Sequence, residues 1–145
     1  MFSSLKGRNM NIDKFKHQHV AIYECIRTLR HHVLSGIAEN ARQIAGTVVD
    51  MSSTIKLHLS VEDKVLYPAL RSSKNQSMAS LGNRYQEDMK AIARSYEEFA
   101  RKWNTAVNVA RDPEGFRAEA NTVLKRLHAR IRQEDSDFYP AIESI

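Results

Sequence analysis

The 145-residue chain has little of what builds several common protein classes: one cysteine, Cys25, three prolines and five glycines. A lone thiol excludes an intrachain disulfide scaffold and any zinc ribbon or finger built on paired cysteines. So few turn formers argue against an all-β sandwich, which turns about every 8–12 residues. No apolar run approaches the roughly 18 residues of a membrane span. Residues 1–10 also lack the apolar stretch of a signal peptide, so the expected compartment is the cytoplasm. Blocks of like charge are missing too. The 22 basic and 17 acidic residues interleave and leave a net charge of +5, and aromatics are not threaded through basic clusters. Neither specific nucleic acid nor a membrane is therefore expected as a partner. A content of 42% hydrophobic and 27% charged residues suits one soluble domain with a real core.

What the chain does have is helical periodicity. Turn signals fall at Ser35-Gly36, across 68–77, and at Arg111-Asp112-Pro113-Glu114-Gly115. In the last of these Asp112 reads as an N-cap, Pro113 as a first-turn proline and Glu114 as an acidic first turn. Asn11 is a candidate cap for the first helix, which divides the chain into an N-terminal arm (1–10) and a helical domain (11–145). The first stretch carries Ile12, Phe15, His19, Ile22, Ile26, Leu29 and Val33 at alternating spacings of three and four. The second runs from Ile37 through Ile44, Met51, Ile55, His58 and Glu62 to Val65 and Ala69. The third runs from Met78 through Gly82, Tyr85, Met89, Ile92, Tyr96 and Phe99 to Trp103. The fourth runs from Ala120 through Leu124, Leu127, Ile131, Glu134 and Phe138 to Ala141. One stripe per helix facing a shared core predicts an all-α fold, an antiparallel up-down-up-down four-helix bundle.

Four polar residues interrupt the apolar stripes: His19, His58, Glu62 and Glu134. Burying an ionised carboxylate costs several kcal/mol unless it is paired or bound to a metal. Two such carboxylates close together repel, and a cation between them removes both difficulties. His58 and Glu62 are one turn apart near the end of the second helix, and Glu134 lies at a similar depth in the fourth. His19 lies near the start of the first. In an antiparallel bundle these places share one end. Imidazole nitrogen and carboxylate oxygen suit iron, with zinc or manganese as alternatives.

The sequence also repeats. Glu62-Asp63-Lys64-Val65-Leu66-Tyr67-Pro68-Ala69-Leu70 recurs as Glu134-Asp135-Ser136-Asp137-Phe138-Tyr139-Pro140-Ala141-Ile142, an offset of 134 − 62 = 72. Two similar helical hairpins would produce this. The offset places Arg130 where the first half has His58, and the third helix has Tyr85 and Met89 but no histidine. The first hairpin thus keeps two histidines and a glutamate, while the second keeps its glutamate alone. The Arg130 guanidinium could fill a metal's place and neutralise Glu134, or reach out to solvent. Tyr67 and Tyr139 are expected at helix ends, their hydroxyls bonded to neighbours.

On His19-Val20-Ala21-Ile22, on His58 to Glu62-Asp63 running to Tyr67-Pro68, and on Glu134-Asp135 running to Tyr139-Pro140, the sequence resembles the hemerythrin-like family, including HHE cation-binding domains. The resemblance covers 11–145. It implies a four-helix bundle around a non-haem di-iron centre that binds or senses oxygen or nitric oxide, or handles iron. By position, His19 and His58 resemble ligands of one iron, and Glu62 and Glu134 the bridging carboxylates. The histidines usual for a second iron are replaced here by Tyr85 or Met89 and by Arg130. The resulting expectation is a mononuclear metal, with iron ahead of zinc or manganese, and with water or a small diatomic molecule as its partner. The role is then binding or sensing, not enzymatic turnover.

A second reading stays open: a metal-free, degenerate bundle acting as a regulatory or protein-interaction module. A ferritin-like carboxylate oxidase, which uses Glu-x-x-His, is excluded because no glutamate here is followed three residues later by histidine. Cys25 beside the first stripe reads as a small buried residue, and His17, His31, His32 and His128 face elsewhere.

Overall fold

The computed structural model describes residues 12–144. Asn11 and the arm 1–10 lie outside them. The elements in order are α1 (Ile12–Leu34), α2 (Ala41–Val61), α3 (Tyr67–Arg71), α4 (Gln76–Trp103), α5 (Ala106–Arg111), α6 (Pro113–Gln133) and α7 (Tyr139–Glu143). A single turn of π-helix, Glu62–Leu66, carries α2 into α3, and a second, Glu134–Phe138, carries α6 into α7. No strand occurs among the described residues, so the fold is all-α. α1 packs on α2, α3 on α4, α4 on both α2 and α6, and α5 against α2.

Local chemistry explains the boundaries. Gly36 ends the α1 segment with φ of 118°, a conformation that side-chain-bearing residues rarely adopt. Asn75 caps α4 by accepting the Met78 N–H at 3.0 Å. Asp112 caps α6 by accepting the Gly115 N–H at 3.0 Å, with Pro113 in the first turn as its sequence implies. Thr105 caps α5, a short helix the stripes do not foreshadow.

The expected break at 68–77 is shorter in the structure. The helix runs through Pro68 to Arg71, and the chain turns at 72–75. The reason lies in the preceding π-turn, where the Tyr67 N–H bonds to the Glu62 carbonyl five residues back. Proline has no N–H, and its ring strikes the carbonyl four residues earlier, so a wider turn accommodates it. The Tyr139 N–H bonds to the Glu134 carbonyl in the same way, one residue before Pro140. Each widened turn adds a residue, and the buried stripe moves with it. Val65 is therefore exposed and Ala69 only half-buried, while Leu66, Tyr67 and Leu70 are buried.

Two apolar clusters result. The larger includes Ile22, Ile55, Met89, Trp103, Leu127 and Ile131. The smaller includes Phe15, Leu66, Tyr67, Leu70, Phe138 and Tyr139. Along each contributing helix the buried polar residues fall between the two: His19 between Phe15 and Ile22, His58 and Glu62 between Ile55 and Leu66, Glu134 between Ile131 and Phe138. A polar layer thus lies inside an otherwise apolar core.

Candidate metal centre

His19, His58, Glu62 and Glu134 are all fully buried, as their stripe positions predict. The first turns of α1 bring His19 in, the last turn of α2 brings His58, and each π-turn starts at its glutamate. One ligand atom from each of His19, His58 and Glu134 lies within 4.8 Å of the other two. His19 Nε2 is 3.1 Å from His58 Nε2 and 2.8 Å from Glu134 Oε1. Glu62 completes the cluster, its Oε2 standing 3.2 Å from His58 Nε2.

The far side of each imidazole is fixed by an acceptor. His19 Nδ1 donates to Asp135 Oδ1 at 2.8 Å, and His58 Nδ1 donates to Gln18 Oε1 at 2.6 Å. That sets the tautomer and turns both Nε2 lone pairs inward. Two nitrogen lone pairs and two carboxylate oxygens then face one another. The Tyr139 hydroxyl gives its proton to Glu62 Oε2 at 2.7 Å and lies 3.2 Å from Glu134 Oε1, while Tyr67 and Arg130 donate to the outer oxygens of Glu62 and Glu134. On the inward side Glu134 Oε1 still faces both Nε2 lone pairs, and a cation or added protons must lie between them. The cluster's nitrogen and oxygen donors fit a first-row transition metal.

The electrostatics record the same demand. Burial alone would lower the His58 pKa, but hydrogen bonds to Glu134 and Glu62, and their charges, raise it to about 9. Burial would raise Glu134, yet hydrogen bonds from both histidines and the charge of Arg130 hold it well below the usual carboxylate range. The Tyr67 and Tyr139 phenols are pushed up by burial and by the two glutamates, so they remain proton donors.

A buried arginine borders the cluster. Arg130 is buried; its Nε donates to Glu134 Oε2 at 2.9 Å and its Nη2 to the Tyr85 carbonyl at 2.8 Å. The guanidinium carbon lies 4.5 Å from the centre of the Tyr85 ring, a cation–π contact. Of the two orientations open to Arg130 in the sequence, the inward one is adopted. Tyr67 and Tyr139 stand at helix ends with their hydroxyls bonded to neighbours, as expected, and those neighbours are the buried carboxylates.

Gln18 and Asp135 are the residues that sequence reasoning missed. A signal for Asp135 existed, because an aspartate follows the glutamate in both copies of the repeat. Its counterpart Asp63 accepts from Gln86 of α4 at 3.0 Å, so each aspartate reaches across to a neighbouring helix. The remaining histidines stay outside the cluster. His17 and His31 are exposed, and His128 packs edge-on against Tyr23 at 5.2 Å. Cys25 is half-buried and its thiol is pushed up by burial.

The chain belongs to the hemerythrin family: the model of the hemerythrin HHE cation-binding domain matches residues 10–142. No curated protein and no solved structure matches it. Within that family its ligand set is partial, centred on His19, His58 and Glu134. Among the described residues, no helix is long and apolar enough to cross a membrane.

Proposed function

We propose that this hemerythrin-family chain holds a single metal ion, iron in the first instance, and uses it to bind or sense a small molecule such as oxygen or nitric oxide. The observation that carries the reading is the acceptor-rich nest of His19, His58, Glu62 and Glu134, beside which Arg130 takes the room of a second ion. Iron there would supply an oxidisable centre with coordination positions left for water or a diatomic ligand. The chain's own residues orient the donors. Asp135 and Gln18 aim the imidazoles, Tyr139 holds Glu62, and Arg130 keeps Glu134 ionised. Apolar residues on both sides keep bulk water away.

The proposed frame is four long helical segments running alternately up and down. Its support is that the start of α1 meets the ends of α2 and α6 at the cluster, and that Tyr85, early in α4, meets Arg130, late in α6.

The test is metal analysis of the purified chain, with an absorption spectrum before and after air exposure. One equivalent of iron, lost in His58→Ala and in Glu62→Ala, is expected. Full occupancy in both variants, or the charge-transfer band of an oxo-bridged pair, overturns the reading. One observation favours the metal-free regulatory alternative: no buried side-chain nitrogen or oxygen among the described residues lacks a hydrogen-bond partner. That alternative requires a protein whose thermal stability ignores both added iron and chelator.

A further inference from the structure

Away from the metal centre, α1 and α6 part to leave a groove of about 600 Å³. Its floor is apolar, formed by Ile26 and Leu29 from α1 and by Ala120 and Leu124 from α6. Its rim is basic: Arg30, Arg117, Lys125 and Arg132, with no carboxylate in the lining. Arg117 shares an exposed ion pair with Glu114 at 3.4 Å. Arg30, Lys125 and Arg132 make no ion pair among the described residues. Along the sequence the basic residues look evenly dispersed. In space, four fixed positive charges surround one cleft, in a chain whose whole net excess is five (22 − 17).

Like charges crowded around apolar surface repel one another and leave the floor poorly hydrated. An occupant with an apolar body and a negative head relieves both, and the volume lies within the roughly 300–1,000 Å³ of small-molecule sites. A nucleic acid fits poorly, because the one ring in the lining, His128, already packs edge-on against Tyr23. A bilayer fits poorly too. The large exposed apolar residues, among them Val20, Leu34, Leu57 and Val107, are scattered over the chain and none lines the groove. We infer that this groove is a second ligand site, which binds a free single-chain amphipathic anion, an acyl carboxylate of medium length.

The experiment is calorimetric titration of the full chain with sodium dodecanoate below its micellar concentration. Dodecyltrimethylammonium (same tail, opposite head) and acetate (head without tail) serve as comparisons. The expected result is one dodecanoate per chain and no binding of the other two. Affinity falls by roughly tenfold or more in Arg30→Glu/Lys125→Glu. In Ala129→Trp, whose indole fills the groove, binding is lost. All three positions are exposed, and circular dichroism with unchanged metal content confirms that the variants fold. Should the double variant misfold, Ala129→Trp carries the test alone. Absence of dodecanoate binding, equal uptake of the cationic amphiphile, or affinity that ignores the variants overturns the inference. So does sedimentation with phosphatidylglycerol vesicles without binding of the free acid, which would assign the patch to a bilayer.

Discussion

Arg130 Nε lies 2.9 Å from Glu134 Oε2, one helical turn away, with both side chains buried. The repeat offset of 72 places this pair over His58 and Glu62, so a guanidinium–carboxylate pair stands where the first half has imidazole and carboxylate. Glu134 is divided between the halves: Oε2 serves Arg130, and Oε1 faces His19 at 2.8 Å. An imidazole can give up its proton to admit a metal, whereas a guanidinium cannot. The pair therefore fixes one positive charge permanently in the core.

Removing that charge is expected to be costly. Arg130→Met leaves Glu134 buried without its partner and should destabilise the metal-free protein by about 3–5 kcal/mol in urea unfolding. Arg130→Met/Glu134→Gln should recover much of the loss, because no uncompensated charge remains. A double variant as unstable as the single one would mean that packing of Arg130 against Tyr85 matters more than its charge.

Metal binding should be proton-coupled. His58 is raised to about 9, so at neutral pH a metal must displace its proton. Apparent affinity should fall by about tenfold for each pH unit below 9, measured by competition with a chelator indicator. Stability of the metal-free protein runs the other way. The His58 contribution is fully present below its ordinary value of 6.5 and is lost as pH rises through about 9. Glu134 acts at the acid end: its contribution is present above the ordinary 4.5 and is lost only as pH falls well below that value.

The two tyrosines should differ in weight. Tyr139 donates to Glu62 at 2.7 Å, while Tyr67 reaches the same carboxylate at 3.4 Å. Tyr139→Phe should cost about 1.5–3 kcal/mol, the range for a hydrogen bond to a charged group. Tyr67→Phe should cost less. Thermal unfolding of both variants, with and without metal, checks the order.

Metal should stabilise the fold by mass action. At a free concentration 100 times the dissociation constant, the gain is about 2.7 kcal/mol. Iron or zinc should raise the unfolding midpoint of the native chain and leave that of His58→Ala unmoved.

The helical stripes and the four buried polar residues were legible because polar residues at stripe positions, each ordinary alone, are hard to explain together when they share one end of the helices. His19, His58, Glu62 and Glu134 could be named from spacing alone. Arg130 was visible as a substitution in the repeat, but its direction was not, since a long side chain at a helix edge reaches either solvent or core. Gln18 was hidden for a different reason. It precedes His19 by one residue, a spacing that normally points away, and meets His58 through the crossing of α1 and α2. Val65 and Ala69 were misplaced because three-four counting assumes an unbroken α-helix. Prolines at 68 and 140 marked the fault without revealing that the helix would widen and continue.

Each π-turn sets the residues beyond it back by about 100° of helical rotation relative to an unbroken helix. Glu62 and Tyr67, five apart, are brought onto one face by it, as are Glu134 and Tyr139. In the wide turn a spacing of five thus does what a spacing of four does in an α-helix. Deleting one residue from 63–65 would leave Glu62 and Tyr67 four apart and still on one face of a regular α-helix, but would drive the Pro68 ring against the carbonyl four residues before it. The extra residue thus carries each helix through its proline without a kink, a role of chain length that no substitution scan would find.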